Sequence, residues 1–382
     1  MDERLRFASN LGSADVTGLG LVASWFCAVL QASPATQIKL PDPKFKMEVF
    51  AEGLDTPRTL ARADDGTVFV GTRSDKIYAI RLDEKERKAA EIKVLYSGLN
   101  APNGVVVHKN TLYFAEIHQI YKVENVSWKT LNSVKLPKPF YTELLNNPHH
   151  GYRVLAVGPD EKLYFGLGVP CNVCVPPKNY GSLARISLDG KKFEIIAEGI
   201  RNSVGFDWDP VSKLLWFSDN GRDWLGDNLP PCELNQISKP GQHFGFPYCH
   251  GGMVADPEFS SSDPKACEKY EAPQVKLGAH VAPLGIHFYR GKQFPEHYRN
   301  ALFVAEHGSW NRSAPVGYRI AVATFDSNRK VTKYEAFTEG WLARDRHVLA
   351  RPVGFLELPD GSLLVTDDFG GKIFRISYAA TP

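Results

Sequence analysis

A single all-β domain, a six-bladed β-propeller, is predicted by three features of the sequence. A strand–turn–strand unit of roughly 45 residues recurs six times, which is the signature of propeller blades. Aromatics are abundant and Met is scarce, with 22 Phe, 15 Tyr and 7 Trp against 3 Met, a bias that suits strands better than helical bundles. The 32 Gly and 26 Pro supply the turns that many short strands need. A chain of 382 residues could hold two ordinary domains or one large β domain. The repetition favours one, over residues 36–382. With 43% hydrophobic residues the chain is no disordered linker, and 45 Lys+Arg against 43 Asp+Glu leave no charge excess. No nucleic-acid partner is therefore expected.

The N-terminus reads as an export signal or anchor over residues 1–35. Arg4 and Arg6 precede an apolar stretch over 16–30, followed by the small residues Ala32, Ser33 and Ala35. That stretch is shorter than the roughly 20 residues that span a bilayer. A periplasmic or extracellular location follows.

The repeats then run in order. Residues 61–80 read strand, Asp65-Gly66 hairpin, strand, turn, strand. The pattern restarts at Asn103, at His150 and at Arg201. It returns with longer loops after Pro283, and closes over 354–376 around Asp360-Gly361. In a propeller the first strand of each unit lines the central channel, and the loop before it opens on one face. Those positions hold Arg58, Asn103, His150, Arg201, Pro283 and Arg351. Three arginines without a matching ring of acids predict a pocket for a small polyanion.

Five cysteines follow the N-terminal segment, after Cys27. Cys171-Asn-Val-Cys174 could be a zinc half-site, a haem attachment or a short disulfide loop. Haem would need a His where Val175 stands, and Cys249-His250 makes a poor second zinc pair. In an oxidising compartment the natural pairs are Cys171–Cys174 and Cys249–Cys267, with Cys232 free. Spacing alone leaves the connectivity open.

Several segments resemble the soluble quinoprotein sugar dehydrogenases. His150-Gly151-Tyr152-Arg153 is similar to the segment bearing their catalytic His, and Gly199-Ile200-Arg201-Asn202 to the motif whose Arg-Asn pair contacts the cofactor. Ser218-Asp219-Asn220-Gly221-Arg222-Asp223, then Glu233-Leu234-Asn235, resembles their calcium loop and its sequel. Arg351-Pro352-Val353-Gly354 matches the last-blade motif. Pro170–Cys174, the run from His243 to His250, and Glu306–Arg312 bring the chain closest to the L-sorbosone dehydrogenase-like branch. The likeness covers about residues 45–378. It implies an oxidoreductase that oxidises a sugar, sugar aldehyde or polyol by hydride transfer to calcium-bound pyrroloquinoline quinone (PQQ).

In that reading His150 is the general base. Arg201, Asn202, Arg351, Asn103 and Arg312 hold the cofactor, whose three carboxylates suit bidentate arginines. The backbone carbonyls of Gly221 and Arg222 would bind the calcium ion. No haem motif is present, so electrons would leave to an external acceptor, a cytochrome or a quinone. The chain also departs from the pattern. A cofactor-contacting Gln falls on Pro102, beside Asn103, and an Asp before the catalytic His falls on His149. A binding Lys falls near Gly308, where His307 or Arg312 would stand in, and a second Arg falls on Val353.

Two other functions compete. A metal-dependent propeller lactonase would need an axial donor set, for which Asn103, Asn202 and Asp219 or Asp367 are available. The arginines oppose it, because cations raise the energy of a nearby divalent ion. A non-catalytic binding propeller would present exposed aromatics, and Trp224, Trp310 and Tyr248 are the candidates. Packing between blades is the expected role of all three, and a simple turn that of Asp367-Asp368.

Overall fold

Six antiparallel sheets surround one axis in the computed structural model, which describes residues 38–260, 263 and 265–379. The expected N-terminal signal, with Cys27, lies outside the described residues. Blade 1 is Pro57–Arg62, Val68–Thr72, Ile77–Leu82 and Ala89–Tyr96, read from the axis outward. Blade 2 has three strands, Gly104–His108, Thr111–Ala115 and Ile120–Val123. Blade 3 (Leu155–Val157, Lys162–Leu167, Ser182–Ser187, Phe193–Glu198) accepts Gln242–His243 as a parallel fifth strand. Blade 4 is Phe206–Trp208, Leu215–Asp219, Pro231–Ile237 and Val275–Ala279; blade 5 is Pro283–Phe288, Leu302–Glu306, Arg319–Phe325 and Val331–Ala336.

Blade 6 starts with Pro352–Glu357, Leu363–Asp367 and Lys372–Tyr378, and takes its outermost strand, Phe45–Glu52, from the other end of the chain. Phe45 pairs with Tyr378 and Glu52 with Lys372. The ring is thus closed by ladder hydrogen bonds between the two ends of the propeller.

The second strands of blades 1, 4, 5 and 6 are buried along their whole length, as strands covered on both faces should be. One apolar cluster fills each of the six gaps between blades. Phe69, Val105 and Phe114 join blades 1 and 2; Trp216, Phe288 and Val304 join blades 4 and 5. The Asp-Gly hairpins form as expected, with Gly66 at φ +88° and Gly361 at φ +82°. Cys171–Cys174 and Cys249–Cys267 are disulfides, and Cys232 is free and buried. The second bridge ties the hairpin Cys249–His250/Val254–Ala255 into the long excursion of blade 4.

At each gap a glycine lets the chain touch the next blade. A Cβ on Gly71, Gly104, Gly166, Gly205, Gly285 or Gly354 would fall within 2.6 Å of a carbonyl oxygen of the following blade: Asn103, Arg153, Ser203, Leu284, Val353 and Arg58 respectively. Hydroxyls reinforce the seams: Ser218 donates to Leu284 O (2.8 Å) and Thr366 to Arg58 O (2.7 Å). Gly205→Ala places a methyl within 3.0 Å of three backbone atoms of blade 5. It should cost about 3 kcal/mol of stability, as overpacking does. An unchanged melting temperature would show that the blades part freely there.

Candidate active site

The loops that precede the inner strands converge on one mouth of the axial channel. They enclose a cavity of about 370 Å³ whose lining includes Arg58, Arg73, His150, Arg201, Asn202, Gly221, His307 and Arg351. The second strands set this geometry. Asp219, at the end of Leu215–Asp219, accepts hydrogen bonds from the backbone N–H groups of Arg201 (2.9 Å) and Asn202 (2.7 Å). Asp367, at the end of Leu363–Asp367, does the same for Arg351 (2.8 Å) and Phe369 (3.1 Å). Both anchors are buried, and burial raises their carboxyl pKa values to about 6.

His150 sits in the left-handed region at φ +53°, where His is tolerated better than bulkier residues. Gly168 makes room for it, because a Cβ there would lie 2.6 Å from that of His150. The His150 Nδ1 lies 2.8 Å from Val169 O. A carbonyl only accepts, so Nδ1 carries the proton and Nε2 keeps its lone pair. Burial, then Arg201 and His149, hold its pKa well below the usual imidazole value. His150 is therefore neutral at pH 7, with an unprotonated nitrogen in the ring that lines the cavity.

The four arginines differ in what they hold. Arg58 pairs with Asp368 (2.7 Å) and donates to Asn103 Oδ1 (3.0 Å). Arg201 pairs with Asp223 (3.0 Å) and donates from Nε and Nη2 to the carbonyl and the side-chain oxygen of Asn172, both at 2.8 Å. Asn172 lies inside the Cys171–Cys174 loop and also accepts from Asp223 N. Among the described residues the Arg351 side chain donates only to the carbonyls of His307 (3.0 Å) and Gly308 (2.7 Å), and that of Arg73 only to the Tyr152 hydroxyl (3.0 Å). Among the described residues neither Arg351 nor Arg73 makes an ion pair. The cavity keeps two uncompensated positive charges.

His307 Nε2 donates to Asp368 Oδ1 (2.8 Å). Burial first, and Arg351 and Arg58 after it, lower the His307 pKa to about 4, against the pull of Asp368. Asp368 in turn is driven far below the usual carboxylate range by His307 and Arg58, which outweigh its burial. The Asp367-Asp368 turn thus does more than reverse the chain.

Of the residues expected at the site, His150, Arg201, Asn202, Gly221 and Arg351 line one cavity. Asn103 lies below it, buried between Arg58 and Arg153 O. Arg312 points outward to Ala279 O and Asn228, and His307 occupies the cavity in its place. The Arg222 side chain turns away to Asp256 (2.5 Å) and Glu258 (2.8 Å). Of the donors considered for a hydrolytic metal, Asn202 lines the cavity, while Asn103, Asp219 and Asp367 are engaged by neighbouring side chains and backbone N–H groups. Among the described residues no cluster of three or more His, Cys, Asp or Glu could hold a metal ion. Arg73, Asn172 and Asp368 had no local signal, because their partners are distant in sequence.

Fold and site together define a six-bladed propeller with a cationic axial pocket and a neutral histidine at its mouth. The chain belongs to the TrAA12-like family, whose model matches residues 186–379. A Borreliella burgdorferi protein is 40% identical over 374 residues, covering 95% of this chain and 96% of that one. The calcium structure of the Trichoderma reesei carbohydrate-active enzyme of family AA12 superposes with a TM-score of 0.77 at 19% identity, over 91% of this chain and 98% of that one. The holo PQQ domain of Coprinopsis cinerea pyranose dehydrogenase gives 0.73 at 18% identity, over 89% and 97%.

The pH dependence of stability tests the His307 assignment. The folded ring binds its proton at about pH 4 and the unfolded one near 6.5. Between these values the unfolded chain holds more protons, so His307 destabilises the fold as pH falls from about 6.5 to 4. Asp219, Glu233 and Asp367 act oppositely there, because their raised pKa values make the folded state the better proton binder. Subtracting the stability of His307→Gln from that of the wild type isolates the His307 contribution. That difference should drop by up to roughly 3 kcal/mol across the window, by denaturant titration.

Proposed function

We propose that this protein is a quinoprotein sugar dehydrogenase. It binds PQQ with calcium in the axial cavity, oxidises a sugar, sugar aldehyde or polyol, and passes the electrons to an external cytochrome or quinone. One observation carries the reading: a neutral His150 with Nε2 unprotonated lines the same cavity as two arginines that lack carboxylate partners. A tricarboxylate supplies the missing charges. The holo and calcium structures of the similar AA12 and pyranose dehydrogenase proteins support the choice of cofactor and ion.

Arg351 and Arg73 would pair with cofactor carboxylates, and Arg201 would meet one from its fixed position on Asn172. Calcium takes hard oxygen ligands, and the proposed ones are the carbonyls of Gly221, which lines the cavity, and Arg222. When bound, the pair supplies an ortho-quinone electron acceptor polarised by a cation. His150 Nε2 would accept the substrate hydroxyl proton, with Val169 O holding the ring in the required tautomer. Asp219 and Asp367 hold the backbones of the Arg201 and Arg351 loops. The two disulfides support the proposed periplasmic or extracellular location.

Apo-protein mixed with PQQ and calcium should reduce a dye with a member of a panel of aldoses, polyols and L-sorbosone. His150→Ala should lose at least about 10²-fold in turnover while still binding PQQ. Arg351→Ala should instead bind PQQ roughly 10- to 100-fold more weakly, the worth of a charge-assisted hydrogen bond. The absence of any PQQ-dependent absorbance change and of dye reduction overturns the proposal. The disulfide loop gives a separate expectation. Cys171→Ser/Cys174→Ser releases Asn172, and PQQ affinity should fall about tenfold as Arg201 loses its fixed orientation. An unchanged affinity would show that Asn172 stays in place without the bridge.

A further inference from the structure

Two tryptophans stand at the cavity rim with most of their surface in water. Trp224 is 70% exposed and Trp310 67%, and their rings meet edge to face at 5.5 Å. Packing between blades is the expected role, but Tyr248 stacks on Tyr270 within the blade 4 excursion. The tryptophans do meet across blades 4 and 5, yet both stay mostly exposed. Trp310 lines the cavity itself. Trp224 sits at φ +72°, a conformation that a bulky residue adopts only under constraint.

The constraint is visible. Four hydrogen bonds join the Trp224 loop of blade 4 to the Trp310 loop and its neighbour. Asn311 donates to Asp223 Oδ1 (2.6 Å), Ser313 N to Asp227 Oδ1 (3.1 Å), Arg312 to Asn228 Oδ1 (3.2 Å) and His280 Nε2 to Gly226 O (2.9 Å). Each tryptophan is thus next in sequence to a residue of the Asn311–Asp223 bond. The strained backbone and the cross-links hold an apolar pair in water, against the hydrophobic effect. Such an arrangement is maintained for a ligand rather than for the core.

We infer that Trp224 and Trp310 form a stacking subsite for a second sugar ring, so that the substrate is an oligosaccharide whose end unit enters the cavity. The inference rests on the sugar dehydrogenase reading of that cavity. Three features select a sugar. The pair is continuous with the cavity through Trp310. Asn311 and Asp223 flank it with hydrogen-bonding groups, matching the mixed apolar face and polar rim of a pyranose. Its area is also small. Two tryptophans exposed to this degree offer on the order of 300 Å², below the roughly 800 Å² per partner of a stable protein interface.

The test separates this subsite from the enzymatic reading by measuring binding without turnover. Apo-protein is titrated calorimetrically with glucose, maltotriose, cellotriose and xylotriose, in the wild type and in Trp224→Ala/Trp310→Ala. At least one trisaccharide should bind the wild type roughly tenfold more tightly than glucose, and the variant should lose that advantage. Trp310→Phe should keep most of it. Both tryptophans are exposed, so the melting temperature should not move. In the loaded enzyme the double variant should raise KM for the same trisaccharide by a larger factor than it changes the monosaccharide KM. Binding that persists without dye reduction would refute the dehydrogenase reading and leave the subsite standing. Equal affinity for mono- and trisaccharides overturns the subsite. So does a variant that loses turnover only with cytochrome c as acceptor, because the pair would then dock an electron-transfer partner.

Discussion

The close backbone approach between neighbouring blades is the constraint on which the rest depends. Six strands around one axis can pack only if each comes within contact distance of the next. Gly205 against Leu284 O and Gly354 against Arg58 O show what that requires: no side chain at all where two backbones meet. The carbonyls met at these seams belong to residues in or next to the site loops, Asn103, Arg153, Ser203 and Arg58 among them. The packing that closes the ring therefore also fixes where the pocket residues begin. The strand Phe45–Glu52 adds the final constraint by binding the last blade to the start of the propeller.

On that frame the chemistry is set by charge accounting. Six-fold closure brings arginines from blades 1, 4 and 6 to one mouth, and like charges so close would repel. Asp368 neutralises Arg58 and Asp223 neutralises Arg201. Among the described residues Arg351 and Arg73 have no carboxylate partner, and His150 is kept neutral by burial and by Arg201. The carboxylates at the ends of the second strands are used on backbone N–H groups, where they aim the loops instead of cancelling the pocket's charge. The arrangement favours an anionic ligand and leaves a base in its neutral form beside it.

The blades were readable because their signals are local: alternation, Asp-Gly hairpins and a repeat length. His150, Arg201 and Arg351 were readable for a related reason, since each stands at the start of a unit, and a propeller places all such starts on one face. Asn103 occupies an equivalent position yet lies beneath the cavity, because its amide is taken by Arg58 and Arg153 O. Arg312 has the chemistry of a cofactor ligand but serves as a link between two loops. Position along the strand predicts which end a residue reaches. It does not predict the direction of a long side chain.

The sequence by itself determined the fold, the number of blades and the residues that start each blade, because these follow from short-range pattern and composition. The disulfide connectivity needed the structure. Tertiary structure alone decided which charges survive. Arg58 meets Asp368 across 310 residues, and Arg201 meets Asn172 in a four-residue disulfide loop. It also decided that Trp224 and Trp310 meet across blades 4 and 5 while keeping most of their surface in water. Electrostatic pairing and exposure depend on neighbours brought together by ring closure, and no local stretch of sequence contains them.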